Sequence, residues 1–215
     1  MRTIAILSVL FALPACGIGS SAPSVSDLNV DFDSAAVGEL PIGFHATETN
    51  SRRKLGTWVV AEDGAGKCIR LTQVENEGDT YNLLMSDAVL PADLRIAVRV
   101  RADGGEEDQG GGVFWRGRGP TDYYITRWNP LEDNVRLYKV ERGVRTQFAS
   151  AKVTATPGWH DLVVEVRGGR MTVAFDGKAL LDHTDATFSG AGHVGLWTKA
   201  DAATSFDDLV VTALN

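Results

Sequence analysis

The sequence predicts an all-β fold, a jelly-roll sandwich of two large antiparallel sheets. Three observations predict it. Short runs of alternating apolar and polar residues recur along the chain. The 23 glycines fall mostly between those runs, where turns need positive φ. No long stretch shows the 3.6-residue period of a helix. At 215 residues the chain suits one such sandwich, and 44% hydrophobic residues supply an ordinary core. A domain of this size buries roughly 70% of its unfolded surface, so it needs no staple.

The first segment stands apart from that fold. Arg2 gives a short basic start, and Ile4 to Leu13 is an apolar run. The run is far below the ~20 residues that span a bilayer, so it reads as the core of a signal peptide. It ends in Leu13-Pro14-Ala15-Cys16, which resembles a bacterial lipobox, cut before the cysteine that then carries the lipid. On this reading residues 1–15 are a lipoprotein signal peptide and Cys16 is the lipidation site. The small, polar residues 16–27 are a flexible tether, and 28–215 form the sandwich domain. The alternative is an ordinary secretory signal cut nearby, with Cys16 incidental. Either way the protein is exported to the cell envelope, on its periplasmic or cell-surface side, and the anchored form has a bacterial membrane as a partner. With Cys16 acylated, Cys68 is the only thiol left and no internal disulfide forms. Cys68 sits in the alternating segment Lys67 to Leu71 and reads as a small buried hydrophobe.

The strands then follow in order: 28–33, 57–62, 67–73, 80–86, 94–102, 111–117, 122–128, 134–141, 144–149, 159–167, 170–176, 178–182, 193–198 and 204–213. An immunoglobulin-type sandwich uses about seven to nine strands, so this number suits two larger sheets packed face to face. In 94–101, Leu94, Ile96, Val98 and Val100 point inward and Arg95, Arg99 and Arg101 outward. Asp103 to Gly112 is acidic and glycine-rich and reads as a mobile, solvated loop. Arg142-Gly143 marks a tight turn. Gly168-Gly169 marks another, and its two-residue loop fixes the register. Arg167 then faces Arg170, Val166 faces Met171, Val164 faces Val173 and Leu162 faces Phe175. That places six large apolar residues on one face, and a slip of one residue would put them in water at ~1.5–3 kcal/mol each. Asp176-Gly177 continues the meander.

From Gly111 onward several runs carry a resemblance. They are Gly111-Gly-Val-Phe-Trp-Arg116, Tyr123 through Tyr138, Trp159-His160, Phe175-Asp-Gly177, Gly192 through Asp201, and Ser205-Phe-Asp-Asp-Leu-Val210. Together they resemble bacterial exported proteins of the concanavalin A-like lectin/glucanase superfamily, over about residues 28–213. Within it they are most similar to the 3-keto-disaccharide hydrolase-like domain. The resemblance implies a concave sheet on which a saccharide lies. It also implies chain ends brought together, with a structural calcium held there by Asp33 and Asp208, hard oxygen donors that suit this ion.

Segment 114–138 is the richest in groups that suit a sugar. Flat rings stack on pyranose C–H groups, and planar polar side chains pair with adjacent hydroxyls. The candidate ligand-binding residues are Trp115, Arg116, Tyr124, Arg127, Asn129, Glu132 and Asn134, with Lys199 from another strand end. Alternation sends half of the aromatic residues into the core, and Tyr123 and Tyr124 cannot share a face. Pro130 ends the strand, so 129–134 is a loop or turn.

Other chemistries are excluded or weakened. The net charge of −7 argues against nucleic acid as a partner. The four histidines have no metal-ligand spacing, and there is no Gly-x-Ser-x-Gly elbow. The Glu-x-Asp-x-x-Glu run that retaining glucanases of the superfamily carry is absent. A hydrolase would need carboxylates from separate strands, for example Glu132 and Asp201. The sequence thus leaves three readings: a saccharide-binding protein of the concave sheet, a glycoside hydrolase of the 3-keto-disaccharide type, and a non-catalytic structural protein of the envelope.

Overall fold

A computed structural model describes residues 26–64, 66–154 and 156–214. The signal segment, Cys16 and most of the tether lie outside them. The described chain is all β: β1 Leu28–Val30, β2 Phe44–Thr49, β3 Thr57–Asp63, β4 Gly66–Gln73, β5 Tyr81–Ser86, β6 Leu94–Gly104, β7 Gly111–Gly117, β8 Tyr123–Asn129, β9 Asn134–Glu141, β10 Val144–Lys152, β11 His160–Arg167, β12 Arg170–Phe175, β13 Lys178–Thr184, β14 His193–Lys199 and β15 Ala203–Ala213. They form two antiparallel sheets. The eight-stranded sheet runs β13-β12-β11-β6-β15-β4-β3, with β1 paired to β15. The seven-stranded sheet runs β10-β9-β8-β7-β14-β5-β2. The β1–β15 pair sets Leu28 opposite Val211, so the first and last strands meet as expected.

The local patterns explain the pairing. The β11–β12 register is Leu162 with Phe175, Val164 with Val173 and Val166 with Met171, as the Gly168-Gly169 turn predicts. At both Arg142-Gly143 and Asp176-Gly177 the two central residues have positive φ, the requirement of a type I′ hairpin turn. Leu94, Ile96, Val98 and Val100 point into the inter-sheet core. Cys68 is free and buried, and burial pushes its thiol up, away from nucleophilic reactivity.

One strand escaped the sequence reading. β2 carries Ala46 and Glu48 on its inward face, so it lacks apolar alternation. Glu48 is buried because it accepts hydrogen bonds from Gly56 N at 2.9 Å and Asn76 Nδ2 at 2.7 Å. The loop expected to be mobile also differs. Asp201 accepts the backbone N–H groups of Glu106, Glu107 and Asp108 at 2.6 to 3.1 Å and so organises 105–110. Asp108 is thereby buried rather than solvated.

The seven-stranded sheet is strongly curled. Its edge strands β10 and β2 lie six strand steps apart, about 29 Å in a flat sheet. Yet Asn50, just beyond β2, donates from Nδ2 to the Gly143 carbonyl of the β9–β10 turn at 2.9 Å. Arg145 of β10 places its guanidinium carbon 5.2 Å from the Tyr81 ring centre of β5, five steps away. The curl closes the outer face into a second, smaller core: Tyr81, Leu83, Met85, Phe114, Tyr123, Ile125, Tyr138, Val140 and Trp197, each at most 3% exposed.

Candidate functional site

The cupped face of the seven-stranded sheet gathers five of the candidate residues. Register explains why. Arg127 is opposite Arg136 and Gly112, and Asn129 is opposite Asn134, so all of these point to the same face. The Arg127 guanidinium donates to Asn134 Oδ1 at 2.5 Å, to Glu132 Oε2 at 2.7 Å and to the Tyr138 hydroxyl at 3.2 Å. Arg136 Nη1 reaches the same Glu132 oxygen at 2.8 Å. Beside this set, Asn129 Nδ2 donates to Asp108 Oδ1 at 2.6 Å, and Lys199 Nζ lies 2.9 Å from Asp108 Oδ2. Arg127, Asn129 and Asn134 are almost fully buried, whereas the Glu132 side chain is 43% exposed and Arg136 half-buried. Glu132 and Arg136 are therefore the open edge of the polar set.

The floor next to it is aromatic. Trp197 Nε1 donates to the Tyr123 hydroxyl at 3.2 Å, which shares a 2.8 Å hydrogen bond with Thr49 Oγ1. Tyr81 and Trp197 ring centres are 5.1 Å apart. Over them lies Arg145, its guanidinium carbon 4.5 Å from the Tyr138 ring centre, 5.2 Å from that of Tyr81 and 5.7 Å from that of Trp197.

Three candidates are elsewhere. Trp115 and Tyr124 belong to the core between the sheets, because alternation turns them away from Phe114 and Tyr123. Tyr124 donates to Asp185 Oδ1 at 2.5 Å and accepts from Phe188 N at 3.0 Å. Burial together with the Asp185 bond pushes its phenol up to about 12. Arg116 has a positive φ of 51° and leaves the face altogether. Its guanidinium is buried and donates to the carbonyls of Ala92, Phe188 and Gly168, with Asp93 at 3.3 Å, so it clamps loops together. The corrections have two causes: alternation sends Trp115 and Tyr124 to the inner face, and the positive φ at Arg116 turns it off the face that Phe114 shares.

The residues sequence reasoning missed are Arg136, Asp108 and Arg145, whereas Tyr138 falls within the segment 114–138 that it singled out. For Arg145 a signal was present. The Arg142-Gly143 turn sets Arg145 opposite Val140, on the same face as Tyr138. Asp108 had no such signal, since only the Asp201 carboxylate brings it inward.

The carboxylates define what this face can do. Burial pushes Glu132 up, but hydrogen bonds from Arg127 and Asn134 and the charges of Arg127 and Arg136 outweigh it and hold Glu132 below its usual range. It is thus a firm anion and a poor proton donor. Asp201 is likewise held low: burial raises it, and the three backbone N–H groups of 106–108 outweigh that. Both Asp201 carboxylate oxygens accept those backbone N–H groups.

At the joined chain ends, Asp33 Oδ1 accepts from Lys67 N at 2.7 Å. Lys67 Nζ donates to the carbonyl oxygens of Asp33 and Ala35 at 2.7 and 2.9 Å. Asp208 lies 3.5 Å from Arg99. An ammonium thus already takes the backbone oxygens, and each carboxylate has its own partner. Among the described residues no group of three or more His, Cys, Asp or Glu side chains is placed to hold a metal ion. A calcium ion held jointly by Asp33 and Asp208 would compete with Lys67 and Arg99 for these oxygens.

Two antiparallel sheets packed face to face, one curled and one charged on its outer side, define the concanavalin A-like jelly roll. Solved structures share it. The carbohydrate-binding module CBM66 from Bacillus subtilis superposes with a TM-score of 0.61 at 21% identity, covering 80% of this chain and 96% of that one. The β-glucanase of Bacillus licheniformis gives 0.61 at 10% identity, over 89% and 99% of the two chains. Domain 4 of AbnA, a GH43 extracellular arabinanase from Geobacillus stearothermophilus, solved with arabinotriose, gives 0.55 at 16%, over 91% and 96%. No protein-family model matches the chain, and no curated protein matches it. At these identities the likeness is one of fold.

Proposed function

We propose that the protein is an exported, lipid-anchored carbohydrate-binding protein of the bacterial cell envelope, holding a saccharide on the cupped face of its seven-stranded sheet. The observation that carries this reading is the joining, on one face, of the Arg127–Glu132–Asn134 and Asn129–Asp108–Lys199 sets with the rings of Tyr81, Tyr138 and Trp197. Planar donors and acceptors beside flat rings are the chemistry a sugar needs. The similar structures include a carbohydrate-binding module and a domain with a bound arabinose oligosaccharide, which agrees with this use of the fold. The apolar run ending at Cys16 supports export and anchoring.

Hydrolysis is less well supported. The carboxylates on this face, Glu132 and Asp108, are both ion-paired, and Glu132 is held too acidic to protonate a leaving group at neutral pH.

The test is a glycan array with the full chain, repeated with Arg136→Ala and Glu132→Gln. Both residues reach solvent, so retention of a glycan should fall while the melting temperature moves by only a few degrees. Unchanged retention in both variants, or no glycan retained by the native chain, refutes the assignment. Arg127→Ala is a poorer probe, because truncation strands Asn134 and Glu132 and costs on the order of 1–3 kcal/mol by itself.

A further inference from the structure

The cupped face has more positive than negative groups, although the chain carries a net charge of −7. Arg127 and Arg136 share one carboxylate oxygen, Oε2 of Glu132. Lys199 pairs with Asp108 and, at 3.7 Å, with Glu107. Arg145 has no carboxylate among the described residues. Its guanidinium carbon lies 4.5 to 5.7 Å from the ring centres of Tyr138, Tyr81 and Trp197. Its Nη1 is buried and has no hydrogen-bond acceptor.

A guanidinium in that state is close to balance. Ring contacts hold it, since each cation–π approach is attractive. The stranded N–H opposes it, because a buried donor without an acceptor forfeits the hydrogen bonds it made in water. The side chain also lies over three of the rings that the proposed site would offer a pyranose. Arg145 springs from β10, an edge strand with β9 as its single partner in the sheet, so the side chain can swing outward without disturbing the strands beneath.

Resting on the proposed saccharide site, we infer that its ligand is an acidic saccharide, a uronic-acid oligosaccharide, whose carboxylate pairs with Arg145 as that side chain leaves the three rings. A carboxylate supplies both an acceptor for Nη1 and the missing counter-charge, in the two-pronged geometry a guanidinium favours. A neutral sugar that displaced the cation from the rings would offer it no counter-charge and leave it to water alone.

The experiment is calorimetric titration of the full chain with trigalacturonate and with the neutral galactotriose, at low and at 0.5 M NaCl, on the native protein and on Arg145→Gln and Arg145→Lys. The native chain should bind the acidic trisaccharide about ten- to a hundredfold more tightly than the neutral one, with the preference shrinking in salt. Arg145→Gln should abolish the preference, and Arg145→Lys should keep part of it. Melting temperatures report whether each variant is folded, and the lysine variant keeps the charge if the glutamine variant is not. Equal or tighter binding of the neutral sugar, or a preference that survives Arg145→Gln, overturns this inference but leaves the saccharide site standing. Failure of the native chain to bind either sugar here overturns the inference, and failure to retain any glycan on the array overturns the site as well.

Discussion

On the outer face of the eight-stranded sheet, Arg95, Asp161, Glu165 and Arg170 stand exposed or half-buried in water, alternating with the core residues of β6, β11 and β12. On the outer face of the seven-stranded sheet, Tyr81, Leu83, Phe114, Tyr123 and Trp197 alternate with core residues in the same way, yet are excluded from water. Strands β5, β7 and β8 are buried at every position. In an antiparallel sheet, one wet face is the usual outcome. The difference is curvature. The eight-stranded sheet leaves its outer residues in solvent, whereas the seven-stranded sheet rolls until its rims touch at Asn50 and Gly143. The side chains on its inner curve then cover one another. A dry outer face and a wet one are distinguished by how far the strands bend.

Two tryptophans test the contrast most sharply. Trp197 lies in the small core of the cup, so Trp197→Ala should cost ~3–5 kcal/mol in urea unfolding. Trp159 lies half-buried on the other sheet, over the guanidinia of Arg99 and Arg101 and donating to Asp63 at 3.1 Å. Trp159→Ala should cost only about 1 kcal/mol. Equal losses would break the comparison.

Next in size is Asp207, on the outer face of the eight-stranded sheet. Burial, with the charges of Asp208 and Asp33 beside it, pushes its carboxyl up to about 6 against the Asp208 N–H and Arg99. The folded value lies above the unfolded one, so the folded chain binds more protons between about pH 4 and 6. Stability therefore falls as pH rises through that window, and the full cost is present above it. Asp207→Asn should raise stability by about 2 kcal/mol at pH 8, seen as a melting point higher by ~4–8 °C, with the gain fading toward pH 4. A gain that does not depend on pH would mean the carboxylate is not the cause.

The clasp comes third. Asn50 has φ 54° and bonds to Asp79 O and Gly143 O, so Asn50→Ala should cost about 1–2 kcal/mol. If the rims are what seals the cup, hydrogen exchange should quicken in β2 and the β9–β10 turn and stay unchanged in β11 and β12. The smallest effect is expected from a chelator. Lys67 holds the backbone oxygens at the chain ends, so excess EDTA should leave the melting temperature where it was. A fall of several degrees would restore a structural cation to that site.

Much of the fold was legible in the chain. Each large side chain left in water costs ~1.5–3 kcal/mol, so alternation together with the Gly168-Gly169 turn set the register of β11 against β12, and alternation turned Leu94, Ile96, Val98 and Val100 inward. The site was legible in part. Arg127, Asn129, Glu132 and Asn134 sit around a turn that brings neighbours in sequence together. Lys199, at the end of β14, and Asp108, in the loop before β7, had to arrive beside them from elsewhere in the chain. Trp115 and Tyr124 were misplaced because composition does not record which side of a strand a residue takes, and Arg116 because its positive φ breaks the alternation.

By itself the sequence determined the pairing of neighbouring strands, the turns and the inward residues of most strands, because these depend on a two-residue period and on short-range backbone geometry. Tertiary structure alone decided that one outer face would be dry, that Arg145 would lie on rings from three other strands, and that Asp201 would draw Asp108 inside. Those outcomes depend on strands far apart in the chain coming within a few ångströms, and sheet curvature, the summed twist and packing of many strands, sets that distance.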